Sequence, residues 1–215
     1  MKQDTQRSSI VGPAGALECA IDLPADAPRG TVVLCHPHPQ FGGTLDNKVV
    51  QTLARAFLQL GYRAVRFNFR GVGGSAGGWD EGRGEIDDAL AVIAAERTAH
   101  PGLPLALGGF SFGGFVAAQA ADRLQAAGAP VERLVLIAPA TSRFPMPAAV
   151  APDTVLVHGE FDDVVPLAST LDWARPQVLP VVVLPGVGHF FHGQLPLLKQ
   201  QIVQAWHAPS LSSGS

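Results

Sequence analysis

Ser111 stands in Gly109-Phe110-Ser111-Phe112-Gly113, where an apolar run starting at Leu105 gives way to an alanine-rich segment. A serine hydroxyl is a weak nucleophile until a base removes its proton. The spacing Gly-x-Ser-x-Gly between a strand and a helix supplies the geometry such a nucleophile needs. So sharp a turn forces the serine into a strained backbone conformation, and its neighbours two positions away lie too close to adjoining backbone to carry a β-carbon. The turn lifts the hydroxyl above the sheet and aims the Phe112 N–H at whatever the hydroxyl attacks. In a chain with 24 glycines the same match also fits a glycine-rich turn with an idle serine. The strand before it and the helix after it favour the nucleophile.

The base that activates a serine is usually histidine, oriented by a carboxylate. On this architecture the partners follow in the order serine, acid, histidine, each on a loop after a strand. His158-Gly159-Glu160-Phe161-Asp162-Asp163-Val164-Val165-Pro166 follows one apolar run, and Pro185-Gly186-Val187-Gly188-His189-Phe190-Phe191 follows the next. Of the seven histidines, His189 stands out because a strand ends just before it and Gly188 lets the loop turn. His192 is assigned to packing or capping the last helix and His158 to the backbone of its turn. His100 and His207 end helices, where positive charge is favourable. The negative charge that develops in the reaction needs two N–H donors. Phe112 supplies one, and the loop after Cys35 should supply the other. Pro37 and Pro39 have no N–H, which leaves His38 or Gln40.

The elements that must hold these residues follow from periodicity. Residues 8–11 and 16–22 flank Gly12-Pro13-Ala14-Gly15 as a hairpin. The continuous apolar run at 31–35 reads as a strand covered on both faces, and further strands are expected at 62–69, 105–110, 134–138, 154–157 and 178–184. Helices are expected at 47–60, 85–99, 116–127, 165–174 and 196–207. The run His36-Pro37-His38-Pro39-Gln40-Phe41-Gly42-Gly43 fits neither helix nor central strand. Alternating strands and helices imply an α/β fold with a mostly parallel sheet and helices on both faces. Residues 1–207 are expected to form one domain and 208–215 a frayed tail.

Four motifs in this order, His36-Pro37-His38-Pro39, Gly109 to Gly113, His158 to Pro166, and Gly188-His189, resemble the α/β-hydrolase family, most closely its small lidless bacterial serine hydrolases. The resemblance covers about 31–206. It implies a Ser111, Asp162, His189 triad, with Asp162 preferred over its neighbour Asp163 and over Glu160 by register. It also makes His38 the better match for the second oxyanion donor, beside Phe112. The implied activity is hydrolysis of carboxylic esters, as in a carboxylesterase. Thioesterase, acyltransferase or peptidase chemistry on the same residues remains open, as does a non-catalytic binding protein.

Composition narrows the alternatives. The chain has 215 residues, 47% hydrophobic and 15% charged, with a net charge of −3. That suits a single well-packed domain and offers no basic stripe for nucleic acid. No apolar run approaches a membrane span, and the charged N-terminus has no apolar stretch behind it, so a cytoplasmic protein is expected. Cys19 and Cys35 lie in apolar runs and read as buried thiols. No cofactor or metal is expected. A metal pair of His36 and His38 lacks a third ligand at a metallohydrolase spacing. Gly71-Val72-Gly73-Gly74-Ser75-Ala76 matches a dinucleotide fingerprint, but glycines continue to Gly84 where a helix should open at once. A partner in the form of a small ester substrate is expected, in an unspecified oligomeric state. Between the strands at 134–138 and 154–157 stand only fifteen residues, four of them proline, too few for a helical lid. An open site favours small or surface-presented esters. Phe41, Phe112, Phe190 and Phe191 flank it and would line an acyl pocket or pack the core, and Trp79 would line the entrance or cover the core.

Overall fold

The computed structural model describes residues 5–207, so the expected tail at 208–215 lies outside the described residues. Eight strands form one sheet: β1 (Gln6–Gly12), β2 (Gly15–Asp22), β3 (Gly30–Cys35), β4 (Tyr62–Phe67), β5 (Leu105–Phe110), β6 (Leu134–Ile137), β7 (Val155–Gly159) and β8 (Val182–Leu184). Their order is β1-β2-β4-β3-β5-β6-β7-β8. β1, β2 and β4 pair antiparallel, and every pair from β4 to β8 across the sheet is parallel. Five helices cover it: α1 (Lys48–Gln59), α2 (Arg83–Ala99), α3 (Phe112–Ala126), α4 (Leu167–Ala174) and α5 (Leu195–His207).

The apolar strands have a simple cause. Along β3, Val32 and Leu34 join a core with Val49, Leu53 and Phe57 of α1 and Leu198 of α5. Val33 and Cys35 point the other way, into a core with Ala89 and Val92 of α2 and Val116 of α3. A strand buried on both faces has no position for a polar side chain, so alternation disappears. α1 is a strongly one-sided helix. Asn47 caps it, its side-chain oxygen accepting from the N–H groups of Val49 and Val50, and Gly61 at φ 82° turns the chain into β4.

The chain passes from β3 to β4 on one side and returns past β3 to β5 on the other. The connections after β3 and β5 therefore diverge, and this leaves a crevice at their C-terminal ends. The structure also departs from the sequence expectations at several element boundaries, and three of these bear on the site. β8 is only three residues long, because Val178 takes φ 54° and closes a 3₁₀ turn where a strand was expected. α3 starts at Phe112 rather than 116, taking in Gly113 and Gly114. The run after β3 contains one 3₁₀ turn, Pro39–Phe41, with proline at a position where its missing N–H breaks no bond. Both cysteines are free and buried. No helix among the described residues is long and apolar enough to cross a membrane.

His36 ties β3 to the end of β4. Its ring is fully buried, Nε2 accepts from the Phe69 N–H at 3.1 Å, and Nδ1–H donates to the Pro37 carbonyl at 2.6 Å. Protonation would set two N–H groups against each other. Burial pushes the pKa down from 6.5 to about 4. The unfolded chain therefore binds the proton more readily, and stability present above pH 6.5 is lost as the pH falls towards 4. The loss attributable to this group should reach about 3 kcal/mol. Urea unfolding at neutral and mildly acid pH should show a clearly smaller acid loss in His36→Gln than in wild type.

Candidate active site

The turn from β5 into α3 is dictated by space. Ser111 sits at φ 55° and ψ −119°, outside the regions that side chains favour. A β-carbon on Gly109 would collide with the Gly113 carbonyl, and one on Gly113 would collide with the Cys35 carbonyl. The helix start thus runs in contact with the end of β3. Backbone bonds hold the tip: the Ser111 N–H donates to Ile137 O at 2.9 Å, and Ser111 O accepts from Gly114 and Ala140 at 2.9 and 3.1 Å.

Ser111 Oγ lies 3.0 Å from His189 Nε2, and His189 Nδ1 lies 2.7 Å from Asp162 Oδ2. With Nδ1–H donating to the carboxylate, Nε2 presents its lone pair to the serine hydroxyl. All three residues are buried. The second carboxylate oxygen of Asp162 accepts from the N–H groups of Val164 at 3.0 Å and Val165 at 2.7 Å, which fixes its orientation. His158 adds a further constraint: its Nε2–H donates to Val165 O at 2.9 Å and stands 3.3 Å from Asp162 Oδ2. The competing acids lie elsewhere. Asp163 is exposed, and the Glu160 carboxylate accepts from the Gly186 N–H.

Of the two oxyanion candidates on the loop after β3, Gln40 has its N–H engaged by His38 Nδ1 at 3.2 Å. His38 lines the same cavity as Ser111, and Gln40 does not line it. The Phe112 N–H belongs to the first turn of α3, whose donors have no acceptor within the helix. The His36 and His38 pair is no metal site in this arrangement, since both ring nitrogens of His36 are committed to Phe69 and Pro37.

Ser111 and His189 open into a cavity of about 340 Å³ whose walls include His38, Phe41, Phe112 and Phe190. Phe41 is 81% exposed and forms the rim. Two expected lining residues are not on this wall. Trp79 stacks behind it, 4.5 Å from the His38 ring and 5.2 Å from Phe112, so it supports the wall from outside. Phe191, at φ 52°, turns away from Phe190 and is wholly buried with Phe110 and Leu198. The cavity also has walls that sequence reasoning missed: Asn47, Val165, Phe144 and Arg143. Arg143 had a signal, being the only charged residue in the proline-rich stretch 139–152. The dinucleotide-like loop holds the chain's own carboxylate: Gly74 N–H and Asn68 Nδ2 donate to Glu18 Oε2 at 2.8 and 2.7 Å.

An eight-stranded, mostly parallel sheet with a strained serine between β5 and α3, an acid after β7 and a histidine after β8 defines an α/β hydrolase. The chain belongs to that superfamily: residues 26–166 match the family model described as serine aminopeptidase, S33. An α/β serine hydrolase without lid from Xanthomonas campestris is 34% identical, with a TM-score of 0.88 over 100% of this chain and 99% of that one. An α/β serine hydrolase homologue from Coxiella burnetii is 38% identical, with a TM-score of 0.82 over 93% of this chain and 96% of that one. An uncharacterized protein of Rickettsia prowazekii is 40% identical over 110 residues, 50% of this chain and 46% of that protein, so the match spans about half of that relative's length.

The contacts at the elbow set a stability test. Gly113→Ala should cost about 3 kcal/mol or more, because its β-carbon meets backbone that cannot rotate away. Gly78→Ala, with nothing within 4 Å, should stay within about 0.5 kcal/mol of wild type. Chemical denaturation of both variants checks the difference.

Proposed function

We propose that this chain is a serine hydrolase that cleaves small or accessible carboxylic esters through an acyl-enzyme intermediate. The observation that carries the reading is His189 bridging Ser111 and Asp162 at 3.0 and 2.7 Å, at the foot of a cavity open to solvent.

In this reading His189 Nε2 takes the Ser111 proton as Oγ attacks the ester carbonyl. The oxyanion accepts hydrogen bonds from the N–H groups of Phe112 and His38, donors fixed before the charge appears. Asp162 holds the imidazole with Nδ1–H towards itself and stabilises the imidazolium that forms. His189 then protonates the leaving alcohol. Water, activated by the same imidazole, releases the acyl group and restores Ser111. A cavity of about 340 Å³ lies at the small end of ligand sites, which supports short acyl or alcohol groups. The stretch between β6 and β7 contains no helix, so it forms no helical lid over the mouth.

A peptidase that removes N-terminal residues has to hold an ammonium group, a task for a carboxylate. Among the described residues, no aspartate or glutamate lines the cavity, whereas one arginine does, which supports the ester reading over an aminopeptidase.

A fluorophosphonate probe should label wild type and fail to label Ser111→Ala. Hydrolysis of p-nitrophenyl butyrate should fall by at least about a thousandfold in Ser111→Ala and in Asp162→Asn, the latter because the amide favours the wrong imidazole tautomer. A folded wild type that takes no label would sink the reading and bring the binding-protein alternative forward.

A further inference from the structure

Among the described residues, the Arg143 side chain has no partner, whereas the side chain of every other described arginine has one. Arg7, Arg63, Arg66, Arg70, Arg83, Arg123, Arg133 and Arg175 pair with carboxylates. Arg29 lies over the Tyr62 ring, Arg55 donates to Gln51, and Arg97 donates to the Pro130 carbonyl. Among the described residues, no carboxylate, carbonyl or ring engages the Arg143 guanidinium. An arginine fork has five donors and a charge it does not lose. Arg143 is exposed at the cavity wall, so its fork is open to an anion from solvent.

Its position is set by the catalytic frame. Ala140 N–H donates to Ser111 O, and the N–H groups of Arg143 and Phe144 both donate to Ala140 O at 3.1 Å. The turn carrying Arg143 is thus hydrogen-bonded to the residue that bears the nucleophile. Phe144, next to it, packs on Phe112 at 5.0 Å and on Phe115 at 4.9 Å, which anchors the turn. Arg143 shares the cavity with Ser111 and His189, and its charge reaches His38: burial chiefly, and then Arg143, push the His38 pKa down. Asn47 also lines the cavity. Its Oδ1 is taken by the α1 cap, which turns its amide nitrogen to other partners. Among the described residues, no acidic side chain lines the cavity to compete for the guanidinium.

We infer that the substrate is an ester carrying a carboxylate, which Arg143 binds while Ser111 attacks the ester carbonyl of the same molecule. This rests on the ester-hydrolase reading and narrows it to anionic esters. Arg143 acts as a specificity determinant. It makes the second contact that orients a small substrate in an open cavity, where apolar contact alone fixes position poorly.

Two matched substrate pairs test it. On the acyl side, mono-p-nitrophenyl glutarate is compared with p-nitrophenyl pentanoate. On the alcohol side, p-carboxyphenyl acetate is compared with p-methylphenyl acetate. The readout is the ratio of kcat/KM within each pair, which cancels general losses of activity. In wild type at low salt the anionic member of at least one pair should win. In Arg143→Gln that ratio should fall by about tenfold, the scale of one charge-assisted hydrogen bond. Arg143→Lys should keep part of the preference, and Arg143→Glu should reverse it. Raising ionic strength should narrow the wild-type ratio. A ratio unchanged in Arg143→Gln and Arg143→Glu overturns the inference. If fluorophosphonate labelling and turnover of the neutral esters persist, the hydrolase reading survives that failure. If wild type neither labels nor turns over any ester, the hydrolase reading itself has failed and the inference falls with it.

Discussion

The rest of the molecule is arranged around one steric constraint: the start of α3 passes so close to the end of β3 that no β-carbon fits between them. Gly113 faces the Cys35 and His36 carbonyls, and Gly109 faces the Gly113 carbonyl. Three consequences follow. Ser111 is held at a positive φ that it would not adopt alone, with its hydroxyl above the sheet. Phe112 and His38 are brought to the same cavity from two different strand ends. The tip then reaches β6, because Ser111 N–H and O bond to Ile137 and Ala140. A strained turn at a functional site persists only where its surroundings over-determine it, and here β3, β6 and the helix each fix it independently.

The acid and the histidine arrive by a different device. Both sit on loops after short outer strands, where the sheet alone constrains little. Asp162 is therefore fixed locally. Two backbone amides grip one carboxylate oxygen, and His189 and His158 address the other. His158 also donates to Val165 O, so one buried ring spans both ends of the loop. His189 is wedged between Phe110 at 4.9 Å and Phe190 at 5.0 Å. The first of these rings belongs to the serine's own strand, so packing and hydrogen bonding place the imidazole over the same point.

What could be read from the sequence divides along this line. Strands such as β3 and β6, buried on both faces, announced themselves by largely apolar runs, and α1 by its one-sided stripe. The sharp turn at Ser111 was legible because only glycine tolerates its contacts. The start of α3 was not, since Gly113 and Gly114 look like breakers and are required there by close approach. The edges were harder. The run at 178–184 is apolar for its whole length, yet Val178 lies in a turn and β8 begins at Val182. Aromatics near the site carried no signal of direction. Phe190 and Phe191 are adjacent, and one backbone angle decides that the first lines the cavity and the second fills the core. Arg143 comes to the site through a turn whose hydrogen bonds periodicity does not report.

This division bears on how the protein discriminates among substrates. In the proposed mechanism, attack and charge stabilisation depend on backbone donors and a serine that the fold fixes from three sides. None of those groups reads the substrate beyond its carbonyl. Without a helix over the mouth, selection falls to the side chains that rim the cavity: Phe41 from the loop after β3, Arg143 and Phe144 from the loop after β6, and Phe190 from the loop after β8. Each sits on a connecting turn rather than on a strand, so each can change without disturbing the elbow. Aromatic walls accept many shapes and reject few. Direction has to come from a polar contact at a second point, and on the described part of this wall the guanidinium of Arg143 is the group with the charge and the unused donors to supply it.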